Sequence, residues 1–317
     1  MGKNNIWDVV VIGAGPGGYA AAFRASDLGN KVLLIDRDGK LGGVCLNRGC
    51  IPSKALLHIV KIVNETQHLS NVGVTFGDPE FDIPKIRSHK NKIISQLNGG
   101  ISQLAKARNV NVLCGKASFI NNSEVVVETS EKKEQIQFKN CIIASGSTAA
   151  MLPNLPLDHP LVLTSKTALD LDDVPGSLLI IGGGIIGLEL GQVYSTLGTD
   201  VSVVEYMPSL IPGADDDIAK PLIRKLKKHF KSIMLSSKVI NVDVGFEEGV
   251  RVSIESNNEI KDQVYDKVLV SVGRKPNTNL LSLENTDIKV DSKGFIIVDD
   301  YQKTSVKGVY AIGDIAG

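Results

Sequence analysis

Cys45 and Cys50, within GGVCLNRGCIPSK at 42–54, are the residues of this chain whose type and spacing could do chemistry of their own. A five-residue offset sets two side chains about 140° apart around an undistorted α-helix, with Cα atoms roughly 8–9 Å apart. A disulfide needs less than about 7 Å. Any bond between them therefore requires a distorted turn through Asn47, Arg48 and Gly49, and Gly49 is suited to that. Pro52 fits the first turn of a following helix. Cys50 is then expected at that helix's N-terminus, where the local field favours a thiolate. Lys54 follows four residues on, on the same face, adding a positive charge and a donor. Three readings compete: a zinc site, two unrelated buried thiols, and a redox-active dithiol. Zinc usually wants four ligands, and Cys114, Cys141 and the five histidines show no companion spacing. No metal site is expected, and the dithiol is favoured. Cys114 and Cys141 fall in expected strands and are expected to be buried and inert.

Two glycine-rich turns carry a second kind of chemistry. Residues 8–36 read DVVVIGAGPGGYAAAFRASDLGNKVLLID, and residues 177–205 read SLLIIGGGIIGLELGQVYSTLGTDVSVVE. They align without a gap, and Gly13, Gly15, Gly18 and Asp36 fall on Gly182, Gly184, Gly187 and Glu205. In such a box the first Gly permits the tight turn, the second lets the backbone approach a pyrophosphate, and the third packs helix on strand. The helix N-terminus offers free N–H groups to phosphates. The acid closing the second strand accepts hydrogen bonds from ribose hydroxyls. One box alone is a weak signal. Strand, glycines, helix, strand and acid in register, twice, point to two dinucleotide sites. Glu205 opposes a 2′-phosphate and no Arg follows at 206–210, so the second site is expected to prefer NAD over NADP.

The elements that must hold these groups belong to an α/β chain. The 317 residues carry 35 basic and 35 acidic side chains and only 5% aromatics, which argues against a nucleic-acid or membrane-surface partner. No apolar window reaches the ~18 residues of a membrane span, and no secretory signal is evident near Met1. Strands are expected at 9–12 and 31–35 around a helix at 17–28, with amphipathic helices at 54–70 and 85–108. Further strands are expected at 110–120, 124–129 and 135–145, with a hairpin tip at 131–134. Pro153, Pro156 and Pro160 mark a linker. Beyond the second box come a helix at 216–230 and strands at 237–244, 249–255 and 267–272. Short strands at 287–290, 295–298 and 309–312 close the chain. The basic run RKLKKHFK at 224–231 reads as a solvated helix face.

GAGPGG with Asp36, GGVCLNRGCIPSK, ASGS at 144–147, GGGIIGLELG with Glu205, VGRKPNT at 272–278 and GVYAIGD at 308–314 together resemble the FAD-dependent pyridine nucleotide-disulfide oxidoreductases. The resemblance covers essentially all of 6–317. It implies two Rossmann-like dinucleotide-binding domains, the NAD domain inserted into the FAD domain. Residues 1–149 would be the first FAD-binding segment with the redox disulfide, 150–280 the NAD-binding domain, and 281–317 the start of the return segment. By the same resemblance the first box and Asp36 hold FAD, and Asp314 bonds its ribityl or phosphate side. Gly17, Gly42, Gly43, Ser145, Gly146, Gly273 and Arg274 join the cofactor contacts. Cys50 would be the charge-transfer thiolate and Cys45 the interchange thiol. Lys54 would lie by flavin N5, and Glu189, in the first turn after the second box, would approach Lys54 and the nicotinamide.

The wording Cys-Leu-Asn…Cys-Ile-Pro-Ser-Lys is of the lipoamide type. The implied activity is oxidation of dihydrolipoamide with NAD as acceptor, the substrate being carried by the lipoyl domain of a 2-oxo acid dehydrogenase complex. The alternatives are an FAD/NAD-binding fragment with only NADH-diaphorase activity, or a glutathione- or mercuric-reductase-like enzyme. Relatives act as homodimers and supply a proton-shuttling His-Glu pair from a C-terminal interface domain. None of His58, His68, His89, His159 and His229 sits in that motif, so the chain is expected to stop short of that domain and to turn over lipoamide poorly. A bacterial cytoplasm or, failing that, a mitochondrial matrix is the expected location.

Overall fold

Unbroken runs of Val, Ile and Leu beside the glycine turns form parallel strands covered on both faces, because each face must bury its side chains. The computed structural model describes residues 6–150, 152, 155, 156, 158–246 and 249–317. Pro153 of the expected linker lies outside the described residues. The chain first forms β1 (Trp7–Ile12), α1 (Pro16–Asp27), β2 (Val32–Asp36), α2 (Gly43–Arg48), α3 (Cys50–His68) and α4 (Ile83–Ala107). There follow β3 (Asn111–Cys114), β4 (Lys116–Asn121), β5 (Glu124–Glu128), β6 (Lys133–Ile143) and β7 (Ser147–Ala149). Next come β8 (Val162–Thr164), α5 (Ser165–Asp170), β9 (Ser177–Ile181), α6 (Ile185–Thr196), β10 (Asp200–Val204), α7 (Asp216–His229) and β11 (Ser232–Met234). The remainder is β12 (Ser237–Phe246), β13 (Gly249–Ser256), β14 (Glu259–Tyr265), β15 (Lys267–Val270), β16 (Arg274–Pro276) and β17 (Val309–Ala311).

Two compact units result. The first comprises the described part of Met1–Asn47, with Ile94–Thr148 and Arg274–Gly317, and the second Arg48–Ile93 with the described part of Ala149–Gly273. Residues 48–93 thus depart from the linear division at 149/150. Leu56 and Val60 of α3 are buried among Leu188, Val193 and other residues of the second unit.

In the first unit the sheet runs β3-β2-β1-β6-β5-β4, with β17 also paired to β6. β1 lies parallel to both β2 and β6. Its two faces bury separate cores, one around Val10, Ile12 and Phe119, the other around Val9, Val11 and Ala22. In the second unit β11-β10-β9-β15-β8 form an all-parallel sheet beside an antiparallel β12-β13-β14 meander.

The internal duplication therefore extends well past the two glycine stretches. The order β3-β2-β1-β6 is repeated as β11-β10-β9-β15, and each glycine box follows the central strand. β6 is one strand that pairs with β5 along its first half and with β1 and β17 further on, whereas the second unit divides that work between β14 and β15. β14 is not among the expected strands, because its residues EIKDQVY are mostly exposed and show little hydrophobic alternation. The strands expected at 287–290 and 295–298 are reduced to a single antiparallel bridge between Val290 and Ile296.

Candidate active site

Gly13 and Gly18 are glycines by steric necessity. At Gly13 φ is +101° and an added Cβ would stand 2.3 Å from the Ala144 carbonyl oxygen, while one on Gly18 would meet Gly13 O at 1.8 Å. Gly182 and Gly187 repeat the constraint against Ser271 O at 2.5 Å and Gly182 O at 2.6 Å. Gly15 and Gly184 are different, because nothing lies within 4 Å of either Cβ position. Internal packing does not demand glycine there, so the open space suits a group that must come close to the backbone, as a pyrophosphate does. Both residues are helix N-caps in extended backbone, and neither α1 nor α6 has a side-chain cap. The uncapped N–H groups at these positive helix ends complete an anion cradle. In the first unit Ser145 Oγ is also buried without a hydrogen-bond partner, an unusual state for a hydroxyl unless a ligand completes it. The residues present fit a dinucleotide in each unit.

The two acids do more than the sequence suggests. Asp36 Oδ2 accepts from Ala14 N at 2.9 Å and Oδ1 from Asp38 N at 2.9 Å. Glu205 Oε2 accepts from Gly183 N at 2.6 Å and Oε1 from Met207 N at 2.7 Å. These are equivalent positions in the two copies. Each carboxylate fastens its own glycine turn and keeps lone pairs for ribose hydroxyls. Glu205 is only 7% exposed, so its bonds are made in a low-dielectric setting.

The helix break that a Cys45–Cys50 bond would require is present. α2 ends at Arg48, Gly49 adopts φ −149° and ψ −114°, and α3 begins at Cys50. Cys45 is half-buried, Cys50 is exposed, and both are thiols. Within the first unit the segment leading into α2 is seated on the glycine box. Gly42 N donates to Ala14 O at 2.8 Å, and a Cβ on Gly43 would come within 2.6 Å of Gly15 Cα. Asn47 Nδ2 ties α2 back to Leu41 O and Gly43 O at 3.2 and 2.9 Å.

Within the second unit, Lys54 Nζ meets Glu189 Oε1 at 2.6 Å. Lys54 is 59% exposed and Glu189 23%, so the pair adds only about 0–1 kcal/mol to stability. Its consequence is positional: it fixes an ammonium one turn from Cys50. Glu189 is the fifth residue of α6, two residues beyond Gly187, the last glycine of its box. Gly273 has φ +122° with open space where a side chain would project.

In the first unit Arg274, Ser147 and Asp314 form one network. Arg274 Nε donates to Ser147 Oγ at 2.6 Å, and Ser147 Oγ donates to Asp314 Oδ2 at 2.5 Å. Asn277, which the sequence reading did not single out, donates to Ser145 O at 2.8 Å and holds the turn containing Gly146 through its own N–H. Its signal was its place in VGRKPNT. Cys141 is fully buried, but Cys114 is exposed, contrary to expectation, because β3 is the edge strand of its sheet.

Comparison with known proteins gives one family. The model described as pyridine nucleotide-disulphide oxidoreductase matches residues 7–317. A dihydrolipoyl dehydrogenase of Vibrio cholerae is 46% identical over 100% of this chain and 66% of its own length. One from Staphylococcus aureus is 39% identical over 97% of this chain and 65% of its own length. A solved structure described as the Cu(II) complex of HOCl-induced flavoprotein disulfide reductase RclA from Escherichia coli superposes with a TM-score of 0.85. Its identity is 30%, covering 98% of this chain and 66% of that one. The chain thus spans about two thirds of the length of the proteins it matches.

Proposed function

The chain belongs to the pyridine nucleotide-disulphide oxidoreductase family, and on that premise we propose that it oxidises dihydrolipoamide with NAD as the final acceptor. In this reading the first unit is the FAD-binding domain and the second, inserted into it, the NAD-binding domain. When bound, FAD supplies a two-electron acceptor and NAD a hydride acceptor. The residues of the chain supply the rest. Starting from a Cys45–Cys50 disulfide, a substrate thiolate attacks Cys45 Sγ and releases Cys50 as thiolate. The second substrate thiol then displaces Cys45 and closes the substrate disulfide, so substrate oxidation leaves the pair reduced. Lys54, oriented by Glu189, sets positive charge where negative charge develops near Cys50. The glycine boxes and their acids orient the two nucleotides.

One observation carries the reading: Cys50 opens a nineteen-residue helix, exposed, with the Lys54–Glu189 pair a turn beyond it. Support for lipoamide comes from the dihydrolipoyl dehydrogenases at 39–46% identity. The proposal extends to a homodimer, a lipoyl domain as carrier, and a bacterial cytoplasm or mitochondrial matrix. Among the described residues no helix is long and apolar enough to cross a membrane.

The test is anaerobic titration of the FAD-reconstituted protein with dihydrolipoamide. Bleaching of the flavin band in the wild type, and its loss in Cys45→Ser and Cys50→Ser, is expected. A protein that takes up no FAD, or whose flavin dihydrolipoamide leaves oxidised, refutes the reading. The alternative, NADH-diaphorase activity without lipoamide turnover, predicts a flavin that NADH bleaches and dihydrolipoamide does not. Flavin reduction by NADH alone would select it.

A further inference from the structure

Asp314 lies three residues beyond β17, and Ser147 four beyond β6, and these strands pair in parallel. β6 in turn pairs in parallel with β1, which runs into Gly13. Both residues therefore stand at the carboxyl edge of the first unit's sheet, the same edge as its glycine box. Ligands of open α/β sheets bind at that edge.

The network there has a fixed polarity. Arg274 Nη2 donates to Ser147 O at 2.6 Å while Nε donates to Ser147 Oγ at 2.6 Å, so the guanidinium grips the residue twice. A guanidinium has no acceptor and does not lose its proton. The Ser147 oxygen is thereby committed to accepting from Arg274, and its single hydrogen goes to Asp314 Oδ2 at 2.5 Å. Ser147 is 4% exposed, so water does not substitute for either bond. Arg274 Nε is itself 3.7 Å from Asp314 Oδ2. Among the described residues Asp314 Oδ1 makes no hydrogen bond, and the side chain is 62% exposed. One carboxylate oxygen is pinned and the other presented outward. A surface ion pair kept for stability would not need a buried serine between its charges.

We propose that Ser147 and Arg274 are positioning residues for Asp314, holding its Oδ1 to accept a sugar or ribityl hydroxyl of FAD. Arg274 acts through Ser147 rather than by touching a nucleotide, in contrast to its expected place among the direct cofactor contacts. The inference rests on the FAD reading above.

The test is FAD affinity of the purified apoprotein, followed by flavin fluorescence and by the absorbance of the bound flavin. Ser147→Ala and Arg274→Met are each expected to weaken FAD binding about 10- to 100-fold, the value of a hydrogen bond to a charged group. Ser147→Thr keeps the hydroxyl and restores affinity to within about threefold. On an Asp314→Asn background Ser147→Ala adds no further loss, because both act on one contact. Full affinity in Ser147→Ala, or losses from Ser147→Ala and Asp314→Asn that simply add, overturns the inference. So does an Arg274→Met protein impaired only toward NADH. If Ser147→Ala fails to fold, Ser147→Thr and the Arg274→Met/Asp314→Asn cycle decide by the same criteria. A wild-type apoprotein that binds no FAD refutes the proposed function itself; wild-type binding with an unaffected Ser147→Ala refutes only this inference.

Discussion

Replacing Glu205 by Ala should destabilise the protein as well as weaken its nicotinamide nucleotide. The carboxylate takes backbone N–H groups from Gly183 at 2.6 Å and Met207 at 2.7 Å, on a residue 7% exposed. A hydrogen bond to a charged group contributes about 1.5–3 kcal/mol, and a buried donor left unpaired costs about 1–3 kcal/mol. Two such bonds bound the loss at about 6 kcal/mol. Removing a desolvated carboxylate and admitting water into the vacated space offset part of that, leaving a net loss of about 3 kcal/mol. For a unit of this size that lowers the melting temperature by about 6–12 °C. The assay is thermal unfolding of the nucleotide-free protein by circular dichroism, so that ligand stabilisation does not enter. Glu205→Gln keeps one carbonyl acceptor but sets an NH2 against the second donor, so it should fall between wild type and Ala. Asp36→Ala should cost less, since its two bonds are longer at 2.9 Å and its residue is only half-buried. A Glu205→Ala protein that melts within a degree of wild type yet loses NADH affinity refutes the reasoning, leaving the acid with a ribose role alone.

The glycines separate in the same way: Gly15→Ala should fold normally and lose FAD binding, whereas Gly13→Ala should fail to fold or lose about 3 kcal/mol or more, measured by denaturant titration. Among the thiols, burial pushes the Cys141 thiol up, so maleimide should label Cys50 and Cys114 in the native protein and Cys141 only after denaturation, as read by mass spectrometry. Burial, then the charges of Lys225, His68 and Lys228, holds the His229 imidazole below its ordinary pKa. The unfolded chain therefore takes up that proton first as pH falls, so stability should rise with pH toward about 6.5, and His229→Gln should flatten the melting-temperature slope between about pH 5 and 7.

The parts of the fold legible in the sequence are those where one physical demand dominates. The β1 and β9 runs are unbroken apolar segments because both their faces are covered, and the turns after them need glycine at Gly13 and Gly182 because φ is positive and a backbone oxygen fills the Cβ space. The Lys54–Glu189 contact joins residues 135 positions apart, and the resemblance, not the periodicity, anticipated it. What escaped were features set by neighbours. β14 is stabilised by pairing with β13 rather than by a buried face, so its sequence carries no alternation. Cys114 is exposed because β3 is an edge strand, with no strand beyond it among the described residues. The anchoring of each glycine turn by its own acid is equally silent, since a ribose-binding acid and a loop-anchoring acid are the same residue at the same spacing.

That shared anchoring also locates where the two copies part. Gly42 N donates to Ala14 O at 2.8 Å, and at the equivalent place Ile211 N donates to Gly183 O at 2.9 Å. The preceding residues, Leu41 and Leu210, are both buried, at 4% and 1% exposure. Gly42 and Ile211 both have positive φ, so the chain makes the same turn in each copy although only one copy spends a glycine on it. Up to this point the units are one design: central strand, glycine turn, helix, acid, and a return contact to the loop. Beyond it the second copy passes through a short turn into α7, while the first enters α2 with Cys45 and then α3 with Cys50. Cys45 therefore follows directly on the return contact to the glycine turn. In the first copy that contact is reinforced by Gly43, which has no room for a side chain against Gly15. Cys45, three residues beyond Gly42 in the first unit, is therefore held by the same hydrogen bond that shapes its glycine turn, so one βαβ design carries a thiol at that place without altering its strands.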